Sequence, residues 1–242
     1  LVIGYLYNQG FIKKKNDLKS IQVDWDIESA VVVTNGGISN LEKRLEKRTV
    51  TSGCGQGTVF GDMMEDLDNI KLNPPALRQS SFYRLLKNIR EYNEVYKKSG
   101  AVHGCALCID ENIEKFIEDV GRHNATDAIA GYMLLDEIDG SDKLFYTTGR
   151  LTSEMIIKVA IMGIPILFSR AGITKMGLEL SQKLGVTTIS RAAGKHFLVY
   201  NGADTVIYDA KPKEKTGSRF NTSENSEEST DDDRRRGAEL SR

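Results

Sequence analysis

Three thiols, three imidazoles and a recurring arginine are the side chains of this chain with chemistry to offer. Cys54 stands in Thr51-Ser-Gly-Cys54-Gly-Gln-Gly-Thr58, with glycine on either side. Such surroundings predict an exposed, mobile loop rather than a packed position. Backbone N–H groups there, with Lys43, Arg44, Lys47 and Arg48 nearby in sequence, would lower the pKa of the thiol. A thiolate so placed can attack a carbonyl, exchange with a disulfide or accept a sulfur atom as a persulfide. The other reading is a bystander cysteine in a turn.

The arginines recur in a fixed setting: a strand, then a turn holding Arg with Gly, Ser or Asn, usually followed by a helix. The four segments are Asp119-Val-Gly-Arg122-His-Asn124, Thr147-Thr-Gly-Arg150-Leu-Thr-Ser153, Phe168-Ser-Arg170-Ala-Gly172 and Ile189-Ser-Arg191-Ala-Ala-Gly194. In open α/β sheets, ligands bind beyond the carboxyl ends of the strands. Helix N-termini at that edge supply free N–H groups and positive dipole ends, and Arg adds bidentate contact to phosphate. Four arginines on one edge predict a site for a polyphosphate-bearing ligand such as a nucleotide. The convergence fails if the strands belong to different sheets, and each Arg alone could simply pair with a surface carboxylate. None of the segments matches a Walker loop or a dinucleotide fingerprint.

His103, Cys105 and Cys108 form His-x-Cys-x-x-Cys, a metal-like spacing with only three ligands and no second cysteine pair. In a strand, residues three apart point to opposite faces, so buried structural thiols are expected and no metal site is assigned. A zinc deaminase would carry Glu where Cys105 stands and a Pro before its cysteine pair. His123 lies at a predicted helix start, where it could contact a ligand or exchange protons near neutral pH. Asn124 is expected to cap that helix.

Elements must bring these groups together. β-branched or alternating runs predict strands at Ser20–Asp24, Ala30–Thr34, Ala101–Ile109, Lys115–Val120, Lys143–Thr148, Ile164–Phe168, Val186–Ser190, Phe197–Tyr200 and Thr205–Tyr208. Between Ser81 and Lys98, apolar residues from Phe82 to Tyr96 recur at helical spacing, with Gly100 as a stop. Further helices are predicted at Asn124–Glu137, Thr152–Met162 and Thr174–Leu184. From residue 101 the alternation argues for a layered α/β domain with a largely parallel sheet in its C-terminal half.

Of the 242 residues, 40% are hydrophobic and 28% charged, with a formal net charge of −1. From Lys211 to Arg242 eight basic and eight acidic residues cancel, and apolar residues are almost absent, so a disordered tail is expected. The near-neutral body excludes a protein held to nucleic acid by bulk charge. No apolar run reaches the ~18 residues of a membrane span, Leu1–Ile12 does not read as a signal peptide, and three cysteines make no disulfide framework. A cytoplasmic protein is expected.

Together these segments resemble the formate dehydrogenase accessory proteins, a family of sulfur carriers. The matching pieces are Leu1–Ile12, Thr51-Ser-Gly-Cys54-Gly, Gly100-Ala-Val-His103, Glu118-Asp-Val-Gly-Arg-His-Asn124, Thr148-Gly-Arg-Leu-Thr-Ser-Glu-Met155 and the Ser169-Arg170 and Ser190-Arg191 loops. They keep family order across residues 1–210. The resemblance implies a cytidine deaminase-like α/β domain without zinc chemistry over 74–210, and a smaller N-terminal lobe over 1–73 that carries Cys54 and is truncated before Leu1. The tail, 211–242, lies outside the match. It implies that a cysteine desulfurase loads Cys54 with persulfide sulfur. The sulfur then passes to the molybdenum or tungsten bis(molybdopterin guanine dinucleotide) cofactor of formate dehydrogenase, and GDP would mimic that client. Within the family the segment matching Ile189, Ser190, Arg191, Ala192, Ala193 and Gly194 binds the cofactor. Arg122, His123, Arg150 and Arg170 are assigned to the same site with it. Paired subunits are compatible with the resemblance, which involves neither nucleic acid nor membrane.

One position departs from the family. Its loop commonly reads Cys-Gly-x-Cys-Gly, and Gly57 stands where the second cysteine would be. That motivates a rival reading, a cofactor-binding chaperone of formate dehydrogenase that carries no sulfur. A small thiol hydrolase is a weaker rival, since no His–Asp pair for Cys54 is visible.

Overall fold

The computed structural model describes residues 1–38, 48–50, 57–59, 67 and 69–210. The Cys54 loop and the charged tail lie outside the described residues, and the expectations placed on them stand as sequence readings. The chain divides into Leu1–Ala210 and Lys211–Arg242, and the first unit is described here. Its elements begin with α1 (Val2–Asn8), β1 (Leu18–Asp24), β2 (Ser29–Thr34), β3 (Arg48–Val50), β4 (Gly57–Val59) and β5 (Leu77–Arg78). Then come α2 (Gln79–Tyr92), α3 (Glu94–Ser99), β6 (His103–Ile109), β7 (Asn112–Asp119), α4 (Arg122–Leu135), β8 (Leu144–Thr147) and α5 (Ser153–Ile161). The unit ends with β9 (Ile166–Ser169), α6 (Lys175–Leu184), β10 (Thr187–Ala193), β11 (His196–Asn201) and β12 (Val206–Ile207).

The central sheet has six strands in the order β11-β10-β9-β8-β6-β7. β8, β9 and β10 run parallel, while β6 is antiparallel to both β7 and β8, and β11 is antiparallel to β10. The sheet is therefore mixed: β8, β9 and β10 give its C-terminal half the parallel core expected, helices connect β7 to β8, β8 to β9 and β9 to β10, and β6 and β11 run against them. β6–β7 and β10–β11 are hairpins, which short connections force to be antiparallel.

Side-chain alternation divides the core in two. Cys105, Leu107, Phe145 and Leu167 face one side, where α4, α5 and α6 cover them with Ile129, Met155, Ile156 and Leu184. Ala106, Cys108, Tyr146 and Phe168 face the other, covered by α2 through Phe82, Leu85, Leu86 and Ile89. This period of two on each strand gives three layers, helix on sheet on helix. Phe82 anchors the α2 layer edge-on to Phe168 and Phe197, with ring centroids 5.1 and 5.2 Å away.

The single long helix expected from Ser81 to Lys98 breaks at Asn93. That residue is buried, and its Nδ2 donates to Ile89 O at 2.9 Å, ending α2. The Glu118 carboxylate then accepts from the N–H groups of Val95 and Tyr96 at the start of α3. Tyr92, Val95 and Tyr96 consequently stay exposed instead of extending the apolar stripe. Gly100 does close α3, in the left-handed conformation with φ 64°.

α1, which the periodicity did not predict, packs on α4. A Cβ on Gly4 would run into the Asp127 carbonyl, so glycine is what lets the two helices meet. β3 and β4 pair antiparallel with Val50 opposite Gly57, and the segment that joins them contains Cys54. No described helix is long and apolar enough to cross a membrane.

Candidate functional site at the carboxyl edge of the sheet

Since β6 opposes both β7 and β8, strands β7, β8, β9 and β10 all point the same way. The four arginine segments follow or end these strands, so Arg122, Arg150, Arg170 and Arg191 leave one edge of one sheet. Arg150, Arg170 and Arg191 are exposed there, and Arg122 is half-buried.

The turns are knitted to one another. Thr148 N donates to Gly104 O and Leu151 N to Gly172 O, both at 2.9 Å, and Arg191 N donates to Ala171 O at 3.0 Å. Ser169 Oγ donates to Gly149 O at 2.5 Å and accepts from Ala171 N at 2.9 Å. These bonds satisfy backbone groups that a loop would otherwise leave to water, and fix the turns relative to each other. Gly149 serves a separate purpose: a Cβ there would strike the Arg122 side chain, which lies across the turn.

Arg191 occupies the left-handed region with φ 55°, unusual for a non-glycine residue. Pairing of β10 with β11 is irregular between Ser190 and Ala193, and this bulge turns the Arg191 side chain out at the edge. The Ser190 hydroxyl is buried with no hydrogen-bond partner among the described residues. Ile189 and Ala192 are buried in the α2-side core, whereas Ala193 and Gly194 are exposed. The segment Ile189–Gly194 therefore has a buried footing and an open end. That end forms one wall of a crevice of about 310 Å3, lined also by Arg90 of α2, Tyr146 and Arg170. Burial pushes the Tyr146 phenol well above its usual range, against the opposing pull of the positive charge of Arg170.

On the opposite face of the sheet, behind Arg122, lies a buried polar cluster. His123 Nε2 is 3.3 Å from Glu154 Oε2. Lys158 Nζ contacts both oxygens of Asp127 at 2.8 Å and lies 4.0 Å from Glu154, and Asn8 Nδ2 donates to Asp127 Oδ1 at 2.7 Å. Burial, reinforced by the positive charges of Lys158 and Arg122, pulls the pKa of His123 down to about 3. The ring is thus neutral near pH 7, so its contact with Glu154 is not an ion pair. Nδ1 is buried with no partner among the described residues. His103, at the start of β6, lies 3.1 Å from Thr148 Oγ1 and is held below its usual pKa by burial and by Arg122.

Asn124 does not cap α4. The helix begins two residues earlier with Gly121 as its N-cap, because Asp119 Oδ1 accepts from Gly121 N at 2.8 Å and fixes the turn ahead of it. Glu154, Lys158, Asp127, Asn8, Tyr146 and Arg90 were not singled out by the sequence reading. A signal for the cluster was present: His123/Asp127 and Glu154/Lys158 are each four apart, which places both pairs on single helix faces. Cys105 and Cys108 are fully buried on opposite faces of the sheet, so they do not act as a joint ligand pair. Burial raises the thiol of Cys105 to about 11 and that of Cys108 further. Neither offers a thiolate at neutral pH.

A three-layer α/β protein with a cationic edge of interlocked turns is the class that this geometry defines. The model of the FdhD/NarQ family matches residues 1–207, and the chain belongs to that family. It is 31% identical over 202 residues to a sulfur carrier protein FdhD of Bacillus pumilus, covering 83% of this chain and 77% of the relative. It is also 31% identical over 207 residues to a sulfur carrier protein FdhD of Wolinella succinogenes, covering 84% and 71%. Its fold matches the crystal structure of a protein assigned as a formate dehydrogenase accessory protein from Desulfotalea psychrophila. That match has TM-score 0.67 and 27% identity, and covers 85% of this chain and 77% of that one.

Proposed function

We propose that the chain is a sulfur carrier in the maturation of formate dehydrogenase. Cys54 takes sulfur from a cysteine desulfurase and delivers it to a molybdenum or tungsten bis(molybdopterin guanine dinucleotide) cofactor held at the arginine edge. The observation that carries this reading is the placement of four arginines on one edge, in a chain whose relatives bear the name sulfur carrier protein. A guanine dinucleotide carries phosphates that suit those guanidinium groups. In loading, the Cys54 thiolate attacks the outer sulfur of the donor's persulfide. The donor's S–S bond breaks, its cysteine leaves as thiolate, and Cys54 holds the new persulfide.

Gly57 in place of a second loop cysteine favours the rival, a chaperone that binds the cofactor without carrying sulfur. The burial of Cys105 and Cys108 sharpens the contest, because neither can stand in for the missing thiol. Cys54→Ala separates the readings. Sulfur loading by a desulfurase is expected to disappear while GDP affinity, measured calorimetrically, stays within about twofold of the unsubstituted protein. Loading that persists in the variant would contradict the assignment of Cys54.

A further inference from the structure

The hairpin of β1 and β2 carries exposed apolar side chains at Ile21, Val23, Trp25, Ile27, Val31 and Val33. Cross-strand partners share a face, so Ile21 and Val23 with Val32 and Ala30 make one side wholly apolar. Val31 and Val33 join Ser20 and Gln22 on the other. Neither strand pairs with a third among the described residues, so both outer edges are open. A two-stranded hairpin on its own is marginal in water, and a contiguous exposed apolar surface marks an interaction site. At the tip, Trp25 is 84% and Ile27 69% exposed, set among Asp24, Asp26 and Glu28. That tip is built: Asp24 Oδ1 accepts from Asp26 N at 3.0 Å and from Ile27 N at 3.3 Å. The root is closed by Asn35, whose Nδ2 donates to Asn16 O at 2.9 Å and whose N–H donates to Asp17 O at 2.8 Å. Just ahead of the root, Lys15 Nζ lies 3.8 Å from Glu137, which follows the last turn of α4. α4 starts at the arginine edge and its 14 residues span about 21 Å, so the hairpin springs from the opposite end of the unit.

We propose that this hairpin is the arm on which the sulfur donor docks, with Trp25 and Ile27 entering an apolar cleft of the donor whose rim carries lysine or arginine. The acidic tip sets the chemistry of that rim. No basic side chain pairs with Asp24, Asp26 or Glu28 among the described residues, so the complementary cations belong to the partner. A large aromatic ringed by polar groups is also the usual make-up of an interface anchor. Position selects the donor over the acceptor. A cofactor held at the arginine edge is handed over from that edge, and the hairpin lies at the other end. β2 leads through Gly36 and Gly37 into the stretch of sequence that contains Cys54, so a donor held by the hairpin stands where that stretch departs. This inference rests on the sulfur-carrier reading above, which requires a donor.

The test measures the affinity of the full chain for a cysteine desulfurase by biolayer interferometry, together with the rate at which Cys54 gains sulfur. Trp25→Ala is expected to weaken desulfurase binding roughly tenfold or more, the loss of an interface anchor. The double variant Asp26→Lys with Glu28→Lys is expected to weaken it severalfold and to remove most of its salt dependence. Loading should slow by the same factor when the chain is dilute and recover when it is in excess, which Cys54→Ala cannot do. GDP affinity and thermal midpoint are expected to stay unchanged, because these side chains are exposed and lie far from the arginine edge. Desulfurase affinity unaltered by every one of these substitutions would overturn the proposal. A change of oligomeric state in Trp25→Ala with desulfurase affinity kept would also overturn it, and give the hairpin to a second copy. Loss of binding to apo-formate dehydrogenase alone would overturn it in favour of the acceptor. A folded, unsubstituted chain that takes no sulfur on Cys54 would instead contradict the carrier reading itself, and this inference would fall with it.

Discussion

At the scale of single residues, Arg191 and His123 show how local cost accompanies the site. Arg191 holds a left-handed backbone that glycine adopts without strain, worth about 1–2 kcal/mol. Arg191→Gly is therefore expected to raise the thermal midpoint and, having lost the guanidinium, to weaken GDP binding. Unchanged affinity in a stabilised variant would mean that Arg191 does not touch the ligand. His123 titrates near 3 in the folded chain against 6.5 for a free imidazole. Between those values the unfolded chain binds a proton that the folded one refuses, so stability rises with pH. Its contribution is complete above about pH 6.5 and is lost as pH falls from 6.5 toward 3. Glu154, Lys158, Arg122 and His103 face the same region, and replacing His123 alone isolates its share. His123→Asn should flatten the fall in urea midpoint between pH 7 and pH 4, and an unaltered slope would refute the neutral-ring assignment.

At the scale of elements, the Asn8–Asp127–Lys158–Glu154–His123 cluster ties α1, α4 and α5 together behind the edge. Two carboxylates and an ammonium in the interior are costly to desolvate, and their mutual contacts offset that cost only while all are present. Lys158→Ala is expected to destabilise the fold by about 3–5 kcal/mol. The pair Asp127→Leu with Lys158→Met should recover most of that loss, measured by chemical denaturation. A double variant no more stable than Lys158→Ala would show that the ion pair stabilises in its own right. Most of this architecture was legible. The strands of the central sheet, β1, β2, β12 and the α4–α6 helices lie within a few residues of their expected bounds, because apolar periodicity is a local signal, whereas the short β3, β4 and β5 were not expected. The break at Asn93 was not either, since it depends on Glu118 reaching across from β7. Nor was the antiparallel β6–β7–β8 part of the sheet, which pairing decides and composition does not.

At the scale of the whole molecule, division of labour follows from where the reactive groups lie. The condition set on the sequence, that the four arginine strands share a sheet, is met by their topology and directions. The motif residues His103, Arg122, His123, Thr148 and Glu154, scattered over fifty residues of chain, meet on the α4 side, while Tyr146, Arg170 and the Ile189–Gly194 segment form the α2 side. What spacing could not disclose was this partition. Two of the three cysteines are sealed in the two cores, so a carrier of sulfur has one candidate, Cys54. The most direct measurement is incubation of the reduced chain with a cysteine desulfurase and cysteine, followed by mass spectrometry of its peptides. The account predicts one additional sulfur atom, reversible by thiol reductant, on the Cys54 peptide and none on the peptides of Cys105 or Cys108. Sulfur absent from Cys54 in folded protein that still binds GDP would contradict it and leave the cofactor-binding chaperone.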